Sequence, residues 1–118
     1  MKILIVEDEI GIANFLQQGL EEEGYTVEVA NDGEAGLEKA LNQKANIILL
    51  DWMLPKMTGL EVCKAIRIQD KTTPILFLTA RDTIQETIEG LQAGANDYIT
   101  KPVDVERLLS LMRVWLSK

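Results

Sequence analysis

The chain has 118 residues, 47% apolar and 26% charged, with a net charge of −7 and no histidine. That is enough for one domain around one hydrophobic core, residues 1–118. The acidic balance excludes a basic face for gripping nucleic acid, and the missing imidazole excludes Ser-His triads and most transition-metal sites. Any metal must be a hard cation held by oxygen.

The longest clean apolar runs, Ile3 to Val6, Ile47 to Leu50 and Ile75 to Leu78, fall far short of the ~20 residues that span a bilayer. No membrane span is predicted. Met1-Lys2 leads directly into an apolar strand with no small-residue cleavage site behind it, so the cytoplasm is the expected compartment. The single cysteine, Cys63, agrees with a reducing compartment and reads as a packed core thiol.

Ile3 to Val6 is predicted as a buried strand that runs into three acids, Glu7-Asp8-Glu9. From Ile12, the positions Ile12, Phe15, Leu16, Gly19 and Leu20 share one helical face, and Gly24 is the expected stop. Tyr25 to Ala30 reads as the second strand. Asn31-Asp32-Gly33 supplies cap or turn residues for a short helix with Leu37, Ala40 and Leu41 as its apolar stripe.

Asn46 to Leu50 is a third buried strand, and it delivers Asp51 to a loop broken by Pro55 and Gly59. An uninterrupted apolar run suits a parallel strand covered on both faces, so the acid at its end sits at the carboxyl edge of the sheet, where open α/β sheets keep their ligand sites. Leu60 to Ile68 then reads as a helix with Val62, Cys63 and Ile66 inside. Pro74 opens a fourth strand, Ile75 to Leu78, ending in Thr79-Ala80. Thr83 and Glu86 have the spacing of a capping box for the next helix, which Gly94 stops. Asn96 to Thr100 is a less apolar fifth strand suited to a sheet edge, and it delivers Lys101-Pro102. Asp104 is the expected cap of a last helix that buries Val105, Leu108, Leu109, Met112 and Leu116, with Leu111 and Val114 off that stripe. Strand and helix alternate five times without a long linker, which predicts a doubly wound parallel α/β sheet with helices on both faces.

Parallel strands share one carboxyl edge, and here that edge collects Glu7, Asp8, Asp51, Thr79 and Lys101. Crowded carboxylates repel unless one is protonated or a cation is bound, and Mg²⁺ suits an all-oxygen site. A lysine and a hydroxyl beside them are the groups that hold phosphate oxygens during phosphoryl transfer, and an Asp carboxylate can accept a phosphoryl group.

Over its whole length the chain resembles the receiver domain of two-component response regulators, through Glu7-Asp8, Asp51 with Pro55 and Gly59, Thr79-Ala80 and Lys101-Pro102 in order and spacing. The resemblance implies a five-stranded sheet in order 2-1-3-4-5. It implies that Asp51 takes a phosphoryl group from a phosphohistidine on a sensor kinase. Asp8 and Asp51 would bind Mg²⁺ with the backbone carbonyl of Met53, while Glu7 acts mainly through metal-bound water. Lys101 would pair with the phosphate, Thr79 and the Ala80 N–H would bond its other oxygens, and Tyr98 would be the aromatic that rotates inward as Thr79 moves. In such domains the Lys101-Pro102 bond is cis.

The wording Asp51-Trp52-Met53-Leu54-Pro55 and Leu78-Thr79-Ala80-Arg81 resembles receivers of OmpR/PhoB-type winged-helix transcription factors. That implies dimerisation through helix four, strand five and helix five, with Asp97, Arg107 and Arg113 as candidate inter-subunit ion-pair residues, and DNA binding only through an output domain absent from this chain. Val103 and Asn96 depart from the subclass pattern, where Phe and Asp are usual, and weaken the case for the dimer face. The other reading of the same domain is a stand-alone receiver that works by protein–protein contact or phosphorelay.

Three rivals share parts of this pattern. A flavodoxin-like cofactor binder would not place Glu7-Asp8-Glu9 where a phosphate must sit. A haloacid-dehalogenase-like phosphatase wants a second Asp where Met53 stands. A receiver-like domain that works without phosphorylation would not need the full acidic set and Lys101.

Overall fold

The structure, a computed structural model, describes residues 1–80 and 84–117. Five strands and five helices alternate along the chain: β1 (Lys2–Val6), α1 (Ile10–Glu22), β2 (Thr26–Ala30), α2 (Gly33–Asn42), β3 (Ile47–Asp51), α3 (Gly59–Gln69), β4 (Ile75–Thr79), α4 (Ile84–Gln92), β5 (Asp97–Thr100) and α5 (Val105–Leu116). All strand pairs are parallel and the order is β2-β1-β3-β4-β5, as the resemblance implied.

Alternation along each strand decides which residue faces which layer. Ile3, Ile5, Ile47, Leu49, Leu76, Leu78 and Ile99 pack with Leu16 and Leu20 of α1 and Leu108, Leu109 and Met112 of α5. On the other face Leu4, Val6, Ile48, Leu50, Ile75 and Phe77 meet Val62, Cys63 and Ile66 of α3, with α2 covering the end nearest β1. Every residue of β3 and β4 is buried, which is why those strands read as continuous apolar runs. Cys63 is one of the buried residues, and burial pushes its thiol pKa up, as a packed core thiol requires.

Several expectations need correction. Phe15 was placed on the buried face of the first helix, but it is 58% exposed, and Ala13 takes the inward position with Leu16 and Leu20. The face that meets the sheet is narrower than the periodic stripe, so the bulkier ring is left outside. Leu41 lies exposed, whereas Leu37 and Ala40 are half-buried and pack against the core as expected, and the fully buried positions of α2 are Gly33 and Gly36. Val105 and Leu116 are only half-buried. Thr58 and Glu61 form a reciprocal capping box on α3 that the sequence reading passed over. Thr83, assigned to the capping box of α4, and Arg81 lie outside the described residues.

The amino ends of β4 and β5 are locked by one side chain. Arg67, at the end of α3, donates to Gly94 O (2.9 Å), Asp70 O (2.9 Å), Thr73 O (2.8 Å) and Asn96 Oδ1 (3.0 Å). Asn96 Oδ1 also accepts from the Ile75 amide at 2.9 Å, and Asp70 Oδ1 accepts from the amides of Thr72 and Thr73. The departure at Asn96 therefore serves this lock between β4 and β5.

Candidate functional site

The parallel ladders end in step at the opposite edge. Val6 pairs with Leu50, Asp51 with Leu78, and Thr79 with Thr100, so the next residues leave the sheet side by side. Glu7 is fully buried there and Asp51 is 4% exposed, while Asp8 is half-buried. One carboxylate oxygen from each of Glu7, Asp8 and Asp51 lies within 4.8 Å of the others.

Lys101 closes the cluster. Its ammonium stands 2.8 Å from Glu7 Oε1 and 3.2 Å from Asp51 Oδ1. The Lys101 amide donates to Thr79 O at 2.7 Å, and the Lys101-Pro102 peptide is cis. Thr79 is buried at the end of β4, and it lines with Ala80, Asp8, Met53 and Lys101 an opening of about 300 Å³ over Asp51. Tyr98 is not in that opening. It is half-buried on the rim of a neighbouring cavity lined by Trp52, Phe77, Thr79 and Gly90, so Thr79 is shared by both spaces.

The electrostatics follow from burying two acids beside one base. Burial, and then the adjacent Glu7 carboxylate, push the Asp51 pKa up to about 7 against the pull of Lys101. Burial also opposes the charge on Glu7, but the Lys101 ammonium and the Glu9 N–H outweigh it and hold Glu7 below its usual range. Lys101 loses solvation on burial, yet Glu7 and Asp51 raise its pKa. Glu7 is thus the acid whose charge Lys101 favours more, and Asp51 is the one whose charge burial and the neighbouring carboxylate resist.

This donor set fits a hard divalent cation. Its three acidic members offer oxygen alone, and their charge exceeds what Lys101 neutralises. Glu7 Oε1, although beside the ammonium, makes no well-aligned hydrogen bond among the described residues. A bound cation would relieve both.

The structure brings together Glu7, Asp8, Asp51, Thr79 and Lys101, with Met53 and Ala80 on the wall of the same opening. Supporting residues went unread in the sequence: the Asn31 side chain donates to the Glu7 carbonyl at 3.1 Å and the Glu9 amide to Glu7 Oε2 at 3.2 Å. Glu86 of α4 also lines the opening and entered the sequence reading only as a capping residue. It stands 35 positions along the chain from Asp51, which leaves no local signal.

Comparison with known proteins agrees with this geometry. The family model described as "Response regulator receiver domain" matches residues 3–113. The chain is 50% identical over 117 residues to the response regulator ArlR of Staphylococcus saprophyticus, covering 99% of this chain and 53% of that protein. It is 49% identical over 116 residues to an uncharacterized transcriptional regulatory protein, YkoG, of Bacillus subtilis, covering 98% of this chain and 51% of that one. The chain therefore spans about half the length of these curated relatives. Among solved structures, the receiver domain of Francisella response regulator 1452 superposes with a TM-score of 0.93 at 34% identity, covering 98% of this chain and 96% of that one. The chemotaxis response regulator CheY4 of Vibrio cholerae gives 0.91 at 38% identity, covering 97% of each chain. With its strand order, its acidic strand ends and these relatives in agreement, the chain belongs to the response regulator receiver domain family.

Proposed function

We propose that residues 1–118 act as one phosphorylation switch in the cytoplasm, with Asp51 as the phosphoacceptor. The observation that carries this is the convergence of Glu7, Asp8 and Asp51 within 4.8 Å, with the Lys101 ammonium 3.2 Å from the acceptor oxygen. An Asp51 oxygen attacks the phosphorus of a phosphohistidine on a sensor histidine kinase. The O–P bond forms, the N–P bond breaks, and its electron pair stays on the imidazole.

Asp8, Asp51 and the Met53 carbonyl would hold Mg²⁺, with Glu7 behind them, and Mg²⁺ would offset charge on the phosphoryl oxygens. Lys101 is placed to leave its carboxylate partners and pair with the incoming phosphoryl group. Thr79 and the Ala80 amide donate to the remaining oxygens, and Tyr98 follows Thr79 because both border one cavity.

The output face is α4, β5 and α5, where Ile84, Ile88, Leu91 and Val114 are exposed. This face supports a homodimer formed on phosphorylation. Asp97 accepts from the Tyr98 amide at 2.8 Å and from Trp115 Nε1 at 3.4 Å, while Arg107 and Arg113 are exposed. Longer relatives, one of them a transcriptional regulatory protein, support transcriptional output through a separate winged-helix domain.

Intact-mass analysis after acetyl phosphate and Mg²⁺, with peptide mapping, tests the assignment. One phosphoryl group on Asp51 is expected, and none in Asp51→Asn. Full labelling of Asp51→Asn would move the acceptor elsewhere, and turnover of many equivalents would mark a phosphatase instead.

A further inference from the structure

The two segments that carry the acidic cluster are fixed to each other by the sheet only up to Val6 and Leu50. Beyond that row Glu7-Asp8 part from β3, while Asp51, still paired with Leu78 of β4, leads into Trp52-Met53, and α2 packs against Val6 at one point and against Met57 at another. Its fully buried positions are Gly33 and Gly36, less than one turn apart. A methyl group on Gly36 would lie 2.6 and 2.9 Å from the two Cγ atoms of Val6, directly before Glu7. One on Gly33 would overlap the backbone oxygen of Met57, in the loop that runs on from Asp51 and Met53.

Other contacts tie the same turn to that loop. The Gly33 amide donates to Pro55 O at 3.1 Å, and Lys56 Nζ lies 3.7 Å from Asp32 Oδ2, while Asp32 caps α2 by accepting from the Ala35 amide. The close approach needs glycine at both points because neither neighbour has room for a Cβ.

We infer that Gly33 and Gly36 are positioning residues that set the separation of Glu7-Asp8 from Asp51-Met53, and with it the cation affinity of the site. The inference rests on the reading of that cluster as a Mg²⁺-dependent phosphoacceptor. Mg²⁺ demands near-ideal octahedral geometry, so moving one ligand-bearing segment against the other by a few tenths of an ångström is felt. Loss of supporting residues around metal ligands commonly costs about 10- to 100-fold in affinity.

Calorimetric titration of Mg²⁺ into Gly36→Ala, with circular dichroism to confirm folding, should show binding weakened about 10-fold or more. Val6→Ala removes both Cγ atoms that the new methyl would strike, and the Val6→Ala/Gly36→Ala double variant should recover most of the affinity. Should Gly36→Ala not fold, Val6→Ile crowds the same contact from β1 and should also weaken binding. Gly11→Ala, whose added methyl meets nothing within 4 Å, should bind as the wild type does. Leu20→Ala, destabilised far from the site, should keep wild-type affinity at a temperature where it is folded. Unchanged affinity in folded Gly36→Ala or Val6→Ile overturns the inference alone, as does equal weakening in Leu20→Ala or no recovery in the double variant. Wild-type protein that takes up no Mg²⁺ overturns the phosphoacceptor reading and this inference with it.

Discussion

At the amino ends of the strands, a guanidinium meets four oxygens at 2.8 to 3.0 Å, and the carboxylate of Asp70 meets the amides of the turn that follows it. At the carboxyl ends, two buried carboxylates share one ammonium and a third carboxylate lies beside them. The same sheet thus carries one edge where polar groups are matched and one where negative charge is left in excess. Matched groups stabilise a fold, whereas unmatched ones cost stability and are kept where a ligand completes them.

Substitutions should therefore change stability in opposite directions at the two edges. The largest effect is expected for Arg67→Ala, which leaves its acceptors at Gly94, Thr73 and Asn96 without this donor. Thermal or urea unfolding should show a loss of about 3 kcal/mol, while Mg²⁺ affinity of the folded protein stays at the wild-type level. Metal-free Asp51→Asn should instead gain about 1 to 2 kcal/mol, because one of two repelling buried acids becomes neutral. An Asp51→Asn protein less stable than wild type would break the contrast.

The pH dependence should also divide between the edges. Asp51 titrates near 7 in the fold and at a lower value when unfolded, so between roughly pH 4 and 7 the folded state binds the extra proton. That contribution to metal-free stability is lost as pH rises through this window, and Mg²⁺ affinity should rise across it as the proton leaves. Asp70 behaves in the reverse sense. Burial opposes its charge, but the Thr73 and Thr72 donors outweigh it and lower its pKa to about 2. Its stabilisation is present above roughly pH 4 and disappears as pH falls toward 2. Urea titrations across pH for Asp51→Asn and Asp70→Asn should flatten the neutral and acid limbs respectively. The smallest effect is expected for Lys56→Gly. Lys56 has φ +70 in the loop behind Asp51, and relieving that conformation should gain about 0.5 kcal/mol after loss of its exposed ion pair with Asp32.

The acidic edge was legible because its signal is local: an apolar run states a buried strand, and the residue that ends the run must emerge at the edge. Glu7, Asp51, Thr79 and Lys101 each stand within a residue or so of such an end. The matched edge was not legible. Arg67 in sequence is a charged residue near a helix end, where solvent is the ordinary surrounding, and its partners lie up to 29 positions away. Asn96 illustrates the same limit: compared with a subclass pattern it looked like a change on an association face, whereas its side-chain oxygen serves the Ile75 amide. Gly33 and Gly36 gave no apolar stripe to count, although Gly36 abuts Val6 of the sheet and Gly33 abuts Met57 in the loop behind Asp51.

Arg67 also bears on how displacement can spread. By holding Gly94, Thr73 and Asn96 at once, it anchors the starts of β4 and β5 and the end of α3 as a single pivot. Thr79 and Tyr98 sit further along those two strands, toward the end away from Arg67. Under the proposed switch, a pull on Thr79 would act on strands held at their starts, and the largest displacement is expected at the rim that faces α4.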